Sequence, residues 1–572
     1  MINEKSEAAQ RLVDQAAQGR LNRRNFMAQV AAAGLLGTLN PSLIEAALAA
    51  GENQTGNRRA LKSSYDYIVV GSGASGSVIA AKLSQAGADV LLVEAGGTDA
   101  LPQISNPSVW FTNIGGPLDW KLKAAPSPFV NGRSVPVAMG HVLGGGTSIN
   151  ALLWVRGLAQ DYDDWAYNGC DGWSFKDILP IFKELEDWEN GANQWRGAGG
   201  PVHILTAKDP HPTAPAFLAA SKEMGIPILD DVNGPMREGA GYVNMSITKD
   251  GARASASRAF LRPSLSNSNL TLLLDSTTTQ LLFTGTRCTG VKVSTGGALT
   301  DFSAAKEVIV CAGGLLSAKL LMLSGIGDAD ALRAHGIAPV LSLSGVGQNF
   351  QDHPLLFGTV LKYKGVMPPR SQASNAVEAA AYVRSDRAKI APDIKMVLMQ
   401  LPVLTDEMRT QYGSPPPDSF TIAPALVRPS SRGSLKLASA NWQDQPLLDA
   451  GFLRTEHDLT TTIRCIEMCR ELGHQQGFDG IRDSELIPGK KLTADELKVF
   501  ARNATISFGH PVGTCKMGID ENAVVDPRLR VHGIKGLRVC DSSIMPTIIT
   551  GPTNAASQMI GSKAARMILA DA

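Results

Sequence analysis

Three glycines and one glutamate near residue 70 have the types and spacing of a phosphate-binding turn. The segment YDYIVVGSGASG, residues 65–76, is an apolar run that ends with Gly71, Gly73 and Gly76, and Glu94 ends a second apolar run. Gly71 permits a tight turn out of a strand, Gly73 lets the backbone approach a pyrophosphate, and Gly76 lets a helix pack closely on the sheet. Glu94 can accept hydrogen bonds from a ribose, so the pattern predicts a dinucleotide site.

A strand, a helix and a second strand must hold this motif in place. The apolar spacing of Val78, Ile79 and Leu83 predicts the helix, whose free N–H groups and dipole favour a phosphate at its N-terminus. An ordinary strand-turn-helix without a ligand is the alternative, and the position of Glu94 argues against it. The predicted contact residues of this unit are Gly71, Ser72, Gly73, Ala74, Ser75, Gly76, Glu94 and Ala95.

Length and charge limit the classes of function. The chain has 572 residues, and a guide of about 150 residues per domain suggests two to four units. A net charge of +1 without a long Lys/Arg run argues against nucleic acid as a partner. Past the first fifty residues no apolar stretch approaches the roughly 20 residues that span a bilayer, so no transmembrane anchor is predicted in the mature chain.

The N-terminus has the features of an export signal. Arg23 and Arg24 precede a weakly apolar segment of small residues, and the sequence ALA at 47–49 has the pattern of a cleavage site. We therefore predict a twin-arginine-type signal peptide over residues 1–49 and a periplasmic or secreted mature protein. An amphipathic N-terminal helix is the alternative.

The cysteines and histidines do not form a recognisable framework. Seven cysteines are few for this length, and an odd number leaves at least one unpaired, so disulfides are not expected to organise the fold. The chain has no CxxC pair and no HExxH helix, and its nine histidines lack ligand spacing. We therefore predict no metal site.

Four later segments extend the opening motif. They are GHVLGGGTSINALLWVRG at 140–157, GGLLSAKLLMLSGIG at 313–327, GVGQNFQDHP at 345–354, and GHPVGTCKMG with the stretches that follow it from residue 509. Together these five blocks resemble the glucose-methanol-choline (GMC) oxidoreductases, a family of FAD-dependent alcohol oxidases and dehydrogenases. The resemblance implies FAD as cofactor and an α/β fold, in which a Rossmann-like FAD-binding domain carries an inserted α+β substrate domain with an antiparallel sheet plus helices.

The expected domains are discontinuous. The runs SYDYIVVG and GLRVCDSSIMP both have the pattern of strands that join one nucleotide-binding sheet, although they lie far apart in the chain. The chain should therefore leave this domain and return to it. We place the FAD-binding domain in 64–160, 236–354 and 501–572, and the substrate-binding domain in 161–235 and 355–500.

The glycine-rich and C-terminal blocks imply further cofactor contacts. In LGGGTSIN the glycines bring backbone N–H groups near an anion or ring, and Thr147 and Asn150 supply hydrogen bonds. His141 and Gly146 depart from the family, which commonly has Lys or Arg and Ser at these positions. For Asp541, a helix or turn cap is the alternative. The contacts that the resemblance implies are Gly144, Gly145, Thr147, Asn150, Ala151, Asp541 and Thr553.

The catalytic prediction rests on His510 and Asn554, which the resemblance places beside the flavin. Hydride leaves an alcohol carbon more easily as the hydroxyl proton is removed, and a histidine can act as the base. The Asn554 amide can donate a hydrogen bond to the substrate oxygen, and the hydride would pass to flavin N5. His353 in QDHP is predicted to be structural, binding backbone groups.

The predicted function is FAD-dependent oxidation of an alcohol to a carbonyl compound. Electrons would pass to a quinone or cytochrome acceptor, or to O2. We favour a dehydrogenase, because a periplasmic location makes a quinone or cytochrome acceptor plausible. Alternatives are a flavin-containing hydroxynitrile lyase and a non-catalytic flavoprotein of the same fold. Members of the family act on sugars, choline, sterols, aryl alcohols and alkanols, and the sequence does not select among them.

Overall fold

A computed structural model describes residues 2–35, 41–235, 238–371 and 373–572. The helices are α1 (Ile2–Ala17), α2 (Arg23–Ala32), α3 (Pro41–Arg59), α4 (Ala74–Gln85), α5 (Pro102–Ser105), α6 (Ala159–Tyr167), α7 (Phe175–Leu185), α8 (Thr213–Glu223), α9 (Arg262–Ser264), α10 (Gly313–Leu323), α11 (Ala329–Ala334), α12 (Asp406–Tyr412), α13 (Glu456–Gly473), α14 (Ala494–Ala504) and α15 (Asn554–Asp571).

The strands are β1 (Ser64–Val70), β2 (Val90–Val93), β3 (Leu122–Lys123), β4 (Pro136–Val137), β5 (Glu186–Trp188), β6 (Val202–Leu205), β7 (Gly239–Tyr242), β8 (Met245–Ser246), β9 (Leu270–Leu273), β10 (Ser276–Thr284), β11 (Arg287–Thr295), β12 (Ala298–Val310), β13 (Ile326–Gly327), β14 (Leu341–Ser342), β15 (Pro354–Leu356), β16 (Val360–Tyr363), β17 (Ala379–Val383), β18 (Ile394–Met399), β19 (Ser419–Leu426), β20 (Ser434–Lys436), β21 (Leu447–Asp449), β22 (Arg482–Ile487), β23 (Thr505–Ser507) and β24 (Leu537–Val539).

The first large sheet is parallel around β1. Its strands lie in the order β10-β11-β12-β1-β2-β9, and β24 pairs with β12. β1 pairs in parallel with β2 and β12, whereas β10, β11 and β12 form an antiparallel extension. Ile68 and Val69 of β1 are fully buried, as expected for a continuous apolar strand that is covered on both faces. β1, α4 and β2 form the strand-helix-strand unit that the glycine motif predicts.

The second large sheet is antiparallel. Its strands lie in the order β22-β16-β19-β18-β17-β7, and β15 joins β19 to β23. In β18, Ile394 and Met396 pack against α8 and α13 on one face, whereas Val397 and Met399 lie on the opposite face with β15. An α/β fold with a parallel nucleotide sheet and an antiparallel second sheet with helices confirms the predicted fold class.

Two strands from ranges assigned above to the nucleotide domain belong to the antiparallel sheet. β7 pairs with β17, and β23 pairs with β15. The chain therefore leaves this sheet at Tyr242 and Ser507, a few residues beyond the predicted boundaries at 236 and 501. Both strands are too short for their sequence to show which sheet they join, because that depends on distant pairing partners.

The N-terminal helices pack on the parallel sheet. Gln54 of α3 accepts a hydrogen bond from the Leu272 N–H at 3.0 Å and donates one to the Leu270 carbonyl at 2.8 Å. These bonds satisfy backbone groups on the free edge of β9. From α1, the Asp14 carboxylate lies 2.5 Å from the Arg262 guanidinium. The described part of the predicted signal segment is therefore helical and contacts the rest of the fold.

All seven cysteines are free and buried. Within the described ranges, no helix is long and apolar enough to cross a membrane. The same residues contain no group of three or more His, Cys, Asp or Glu side chains placed to hold a metal ion.

Candidate active site

A cavity of about 840 Å³ lies between the two large sheets. We call the part lined by residues 71, 73–75, 93–95, 145–147, 312–314 and 541 the nucleotide end. We call the part lined by the side chains of the antiparallel sheet and of residues 110, 111, 114 and 506–508 the apolar end. The loops that follow β1 and β2 supply residues of the nucleotide end, as expected for a ligand site at the carboxyl edge of parallel strands.

The first glycine loop leaves no room for side chains except toward the cavity. Gly71 has a φ of +94°, and a Cβ on it would lie 2.6 Å from the Cys311 carbonyl oxygen. A Cβ on Gly76 would lie 1.9 Å from the Gly71 carbonyl oxygen, whereas a Cβ on Gly73 would meet no atom within 4 Å. Gly73 is the N-cap of α4. The helix N-terminus therefore opens into free space that a pyrophosphate can occupy.

The Glu94 carboxylate organises this loop. Ser72 donates to it from its backbone N–H at 2.9 Å and from its hydroxyl at 2.6 Å, and Gly96 donates at 2.7 Å. Burial raises the pKa of Glu94, and these donors oppose that shift. Glu94 also lines the cavity, so its remaining acceptor capacity is available to a ribose.

The second glycine segment closes on the first. Gly144 and Gly145 have positive φ angles of 87° and 53°, and the Gly144 N–H donates to the Ser72 hydroxyl at 3.1 Å. A Cβ on Gly145 would lie only 2.9 Å from the Gly73 Cα. The Thr147 hydroxyl donates to the Gly144 carbonyl at 2.6 Å, so its proton stabilises the loop.

Asp541 ties the C-terminal segment to the start of α10. It accepts from the Gly313 N–H at 2.8 Å and the Ser317 hydroxyl at 2.5 Å, and from the N–H and hydroxyl of Ser543 at 2.8 and 2.5 Å. Burial raises the pKa of Asp541. The residue therefore has the capping role that the sequence leaves open, and it also lines the cavity.

Most of the contact residues predicted from the sequence line this cavity. They are Gly71, Gly73, Ala74, Ser75, Glu94, Ala95, Gly145, Thr147, Asn150, Ala151, Asp541 and Thr553, together with His510 and Asn554. Ser72, Gly76 and Gly144 do not line it. These three residues shape the loops through the contacts described above.

His510 lies against an aromatic ring and a second histidine. Its ring stacks on Phe508 with the ring centres 4.6 Å apart, and its Nδ1 is 3.0 Å from Nδ1 of His353. Asp352 accepts from the His510 backbone N–H at 3.0 Å and from the Ser507 hydroxyl at 2.5 Å, which fixes the segment. His353, for which the sequence predicts a structural role, is thus in direct contact with the candidate base.

Burial keeps both imidazoles uncharged. It lowers the pKa of His510 well below its usual value, and His353 and Lys395 lower it further. The pKa of His353 is lowered to about 3, by burial and then by Lys395. Both rings are therefore neutral at neutral pH. A neutral imidazole has a lone pair that can accept a hydroxyl proton.

Asn554 is the first residue of α15 and lines the same cavity. Its Oδ1 accepts a hydrogen bond from Gln558 at 3.1 Å. This bond orients the amide and leaves Nδ2 as the donor for a ligand oxygen. The helix N-terminus adds a positive potential that favours an oxygen carrying negative charge.

Apolar side chains line most of the apolar end. They are Trp110, Phe111, Ile114, Leu153, Leu355, Phe357, Val377, Val397, Met399, Leu401, Val403, Ile506 and Phe508. The lining carboxylates are Glu94 and Asp541, which are bonded to the glycine loops and α10, and Asp444, whose carboxylate accepts from the Ser439 hydroxyl and the Asn441 amide. Among the described residues, no carboxylate belongs to the apolar wall.

Sequence reasoning did not identify Lys395 or the apolar wall. The lysine is fully enclosed within β18, and its Nζ lies 5.4 Å from the centre of the Phe508 ring. An ionisable residue inside the apolar run IKMVLM was the available signal, because lysine is rarely buried without a partner. The wall residues come from separate strands and loops, so no local motif marks them.

Comparison with known proteins places this site in a family. GMC oxidoreductase family models match residues 65–355 and 429–561. The chain is 36% identical over 529 residues to an oxygen-dependent choline dehydrogenase of Brucella ovis, covering 88% of this chain and 95% of the relative. It is 36% identical over 560 residues to the mitochondrial choline dehydrogenase of Homo sapiens, covering 91% and 93%.

A solved structure has the same fold. Pyridoxine 4-oxidase from Mesorbium loti superposes with a TM-score of 0.84 and 32% identity, covering 88% of this chain and 98% of the other. The open space at Gly73 and the helix N-terminus beside it fit the pyrophosphate of a dinucleotide. The chain belongs to the GMC oxidoreductase family, and its cofactor is FAD.

Proposed function

We propose that this protein oxidises an uncharged alcohol with an apolar body, with His510 as the base. The observation that carries the proposal is a neutral histidine in a cavity whose wall on that side is apolar and, among the described residues, free of carboxylates. An apolar wall binds the body of such a substrate by burying its surface. It also excludes water from the reacting carbon.

The side chains divide the work on the hydroxyl group. Nδ1 of His510 faces His353, so Nε2 is the nitrogen left to accept the hydroxyl proton. Asn554 donates its amide hydrogen to the substrate oxygen and stabilises the negative charge that develops there. Bound FAD supplies the acceptor for the hydride that leaves the alcohol carbon.

The proposed substrate is uncharged, whereas the choline in the relatives' names is a cation. Choline carries a permanent positive charge, and burial against an apolar wall removes its water without supplying a counter-ion. The aromatic lining residues Trp110 and Phe357 can attract a cation, whereas the Arg370 guanidinium already lies 5.9 Å from the centre of the Phe111 ring. We therefore expect choline to be a poorer substrate than an alkyl or aryl alcohol of similar size.

The visible spectrum of the purified holoenzyme tests this function. Without oxygen, benzyl alcohol or 1-hexanol should bleach the flavin band rapidly, and choline at the same concentration should bleach it slowly. A flavin that none of the three bleaches would contradict alcohol oxidation. Faster bleaching by choline would contradict the uncharged substrate and leave the reaction type intact.

We further propose a periplasmic or secreted dehydrogenase that passes electrons to a quinone or cytochrome. Arg23 and Arg24 support it, because they stand exposed at the start of α2. Slow recovery of the flavin band in air would agree with a dehydrogenase, and rapid recovery would make the enzyme an oxidase. Export should fail in the variant with Arg23→Lys and Arg24→Lys and persist when Arg58 and Arg59 are replaced in the same way.

The N-terminal mass of the exported protein locates the cleavage site. Cleavage near Ala50 would cut α3 and remove Asp14, the partner of Arg262. A mature protein that begins near residue 50 would agree with the proposed signal peptide. A full-length exported chain would show that α1 and α3 remain part of the fold.

A further inference from the structure

Lys395 is a buried amine without a counter-ion, close to the histidine pair. Its side chain is 1% exposed, and its Nζ has no hydrogen-bond partner among the described residues. The ammonium lies 5.4 Å from the centre of the Phe508 ring, which itself stacks on His510. Phe508 therefore contacts both the amine and the candidate base. Because Lys395 is enclosed by protein atoms, solvent screens its charge only weakly.

The groups that face this amine do not neutralise it. From β17, the Tyr382 ring lies 5.0 Å from Nζ, and its buried hydroxyl also lacks a partner. From the segments before β15 and after β23, the neighbours are His353 and His510, and both imidazoles are uncharged. From α13, Cys465 donates to the Lys395 carbonyl at 3.7 Å, so it meets the backbone.

The carboxylates of Asp352 and Asp393 already accept hydrogen bonds from other residues. Asp352 accepts from Ser507 and from the His510 backbone. Asp393, on the approach to β18, accepts from the N–H and hydroxyl of Ser385 at 2.7 Å each. The protonated form of Lys395 is therefore not stabilised by a neighbouring anion among the described residues.

Burial alone lowers the pKa of Lys395 to about 7. The amine therefore changes its charge near neutral pH, where the two histidines do not. A proton on Nζ opposes the positive charge that His510 gains when it accepts a proton. Both groups contact the Phe508 ring, and the charge on Lys395 lowers the pKa of His510.

We propose that Lys395 is a positioning residue that gates the base, so that His510 accepts the alcohol proton readily only when Lys395 is uncharged. The inference rests on the proposed role of His510. In the step itself the O–H bond of the alcohol breaks and an N–H bond forms at Nε2 of His510. Bound FAD would supply the acceptor for the carbon-bound hydrogen, which leaves as hydride. Lys395 exchanges its own proton with solvent before that step.

Asp352 is the competing explanation for any loss of rate at low pH. Burial raises the pKa of its carboxyl group to about 7. An ionised Asp352 would favour a positive charge on His510, so its protonation would also slow the reaction. Lys395 and Asp352 therefore predict losses in the same direction, and the experiment must separate an amine from a carboxyl group.

The pH profile of kcat/KM for the FAD-loaded enzyme, between pH 5.5 and 9, carries the test. The wild-type rate should fall below pH 7, and K395M should lose that fall, keeping about tenfold more of its own pH 9 rate at pH 6. K395R, charged throughout, should remain slow at pH 9. K362M removes a lysine from β16 outside the cavity and should match the wild-type profile.

A K395M enzyme with the wild-type profile would overturn the inference. If either variant loses FAD, the temperature dependence of the wild-type profile decides, because an amine ionises with a large enthalpy and a carboxyl group with a small one. A midpoint that stays fixed on warming would assign the fall to Asp352 and overturn the inference. An active H510A enzyme would instead overturn the proposed base, which keeps the two failures distinct.

Discussion

The nucleotide end and the apolar end of the cavity are built differently. At the nucleotide end, backbone groups of short glycine loops approach each other so closely that a methyl group has no room at Gly71 or Gly76. At the apolar end, the surface consists of side chains from β15, β18 and loops that are far apart in the chain. One end therefore depends on local backbone geometry, and the other depends on how distant strands pair.

The polar groups of the two ends also differ. Glu94 and Asp541 each accept at least three hydrogen bonds at the nucleotide end. Near the apolar end, Tyr382 Oη and Lys395 Nζ are buried without a hydrogen-bond partner among the described residues. Satisfied carboxylates make a rigid cradle for a cofactor. Of these groups, the Lys395 amine can still change its protonation state, because burial lowers its pKa to about 7.

Gly76→Ala should have the largest effect of the substitutions considered, a loss of bound FAD, and it should act only at the nucleotide end. Its Cβ would lie 1.9 Å from the Gly71 carbonyl oxygen, so the loop must open and we expect loss of bound FAD. The ratio of flavin to protein absorbance measures this. Gly56→Ala is the control, because a Cβ there meets no atom within 4 Å. Full flavin content in the Gly76→Ala protein would contradict the tight loop.

His510→Ala should show the reverse pattern, a loss of rate with FAD retained. Removal of a general base slows the chemical step by about 10²-fold or more, and the ring is not part of the glycine loops. Anaerobic stopped-flow measurement of flavin reduction gives the rate. His474→Ala changes an exposed histidine and serves as the control. Equal reduction rates in the two variants would remove His510 as the base.

Asn554→Asp should reduce the rate less, by about tenfold, because one hydrogen bond to the substrate oxygen is lost. The new carboxylate also repels the negative charge that develops on that oxygen. Flavin content should remain close to that of the wild type, and kcat/KM for benzyl alcohol measures the effect. Unchanged kcat/KM would show that the amide does not contact the substrate.

Val403→Glu should have the smallest effect, a few-fold change of preference. Val403 lines the apolar end and is partly exposed, so a carboxylate there can stay ionised. We expect choline to gain in kcat/KM relative to 1-hexanol. Val403→Gln controls for size and polarity, and it should leave the preference unchanged. Equal shifts in both variants would mean that charge does not select the substrate at this end.

Much of the nucleotide end could be predicted from the sequence, because its residues act through their neighbours in the chain. Gly71, Gly73 and Gly76 specify a turn and a helix N-terminus within a few residues, and the structure has both. Ser72 and Gly76, two of the predicted contact residues, do not line the cavity. The direction of each residue in the loop depends on Glu94 and Gly144, which fold back onto it.

The apolar end could not be predicted in the same way. The only sequence signal for His353 was its position in QDHP. No local pattern predicted that its Nδ1 would contact Nδ1 of His510, which lies 157 positions later. The apolar run of β18 is consistent with a buried strand, but it does not show which face meets the cavity. That choice is made by α8 and α13, which cover the other face.

The sequence by itself determined the cofactor-binding turn, the alternation of strands and helices, and the residues able to act as base and donor. These properties follow from backbone conformation and side-chain chemistry over short stretches of chain. Only the tertiary structure decided that Lys395 would lie near His510, that both histidines would be neutral, and that the wall would be apolar. Burial and charge interactions depend on which distant segments exclude water from one place, and no local pattern records that.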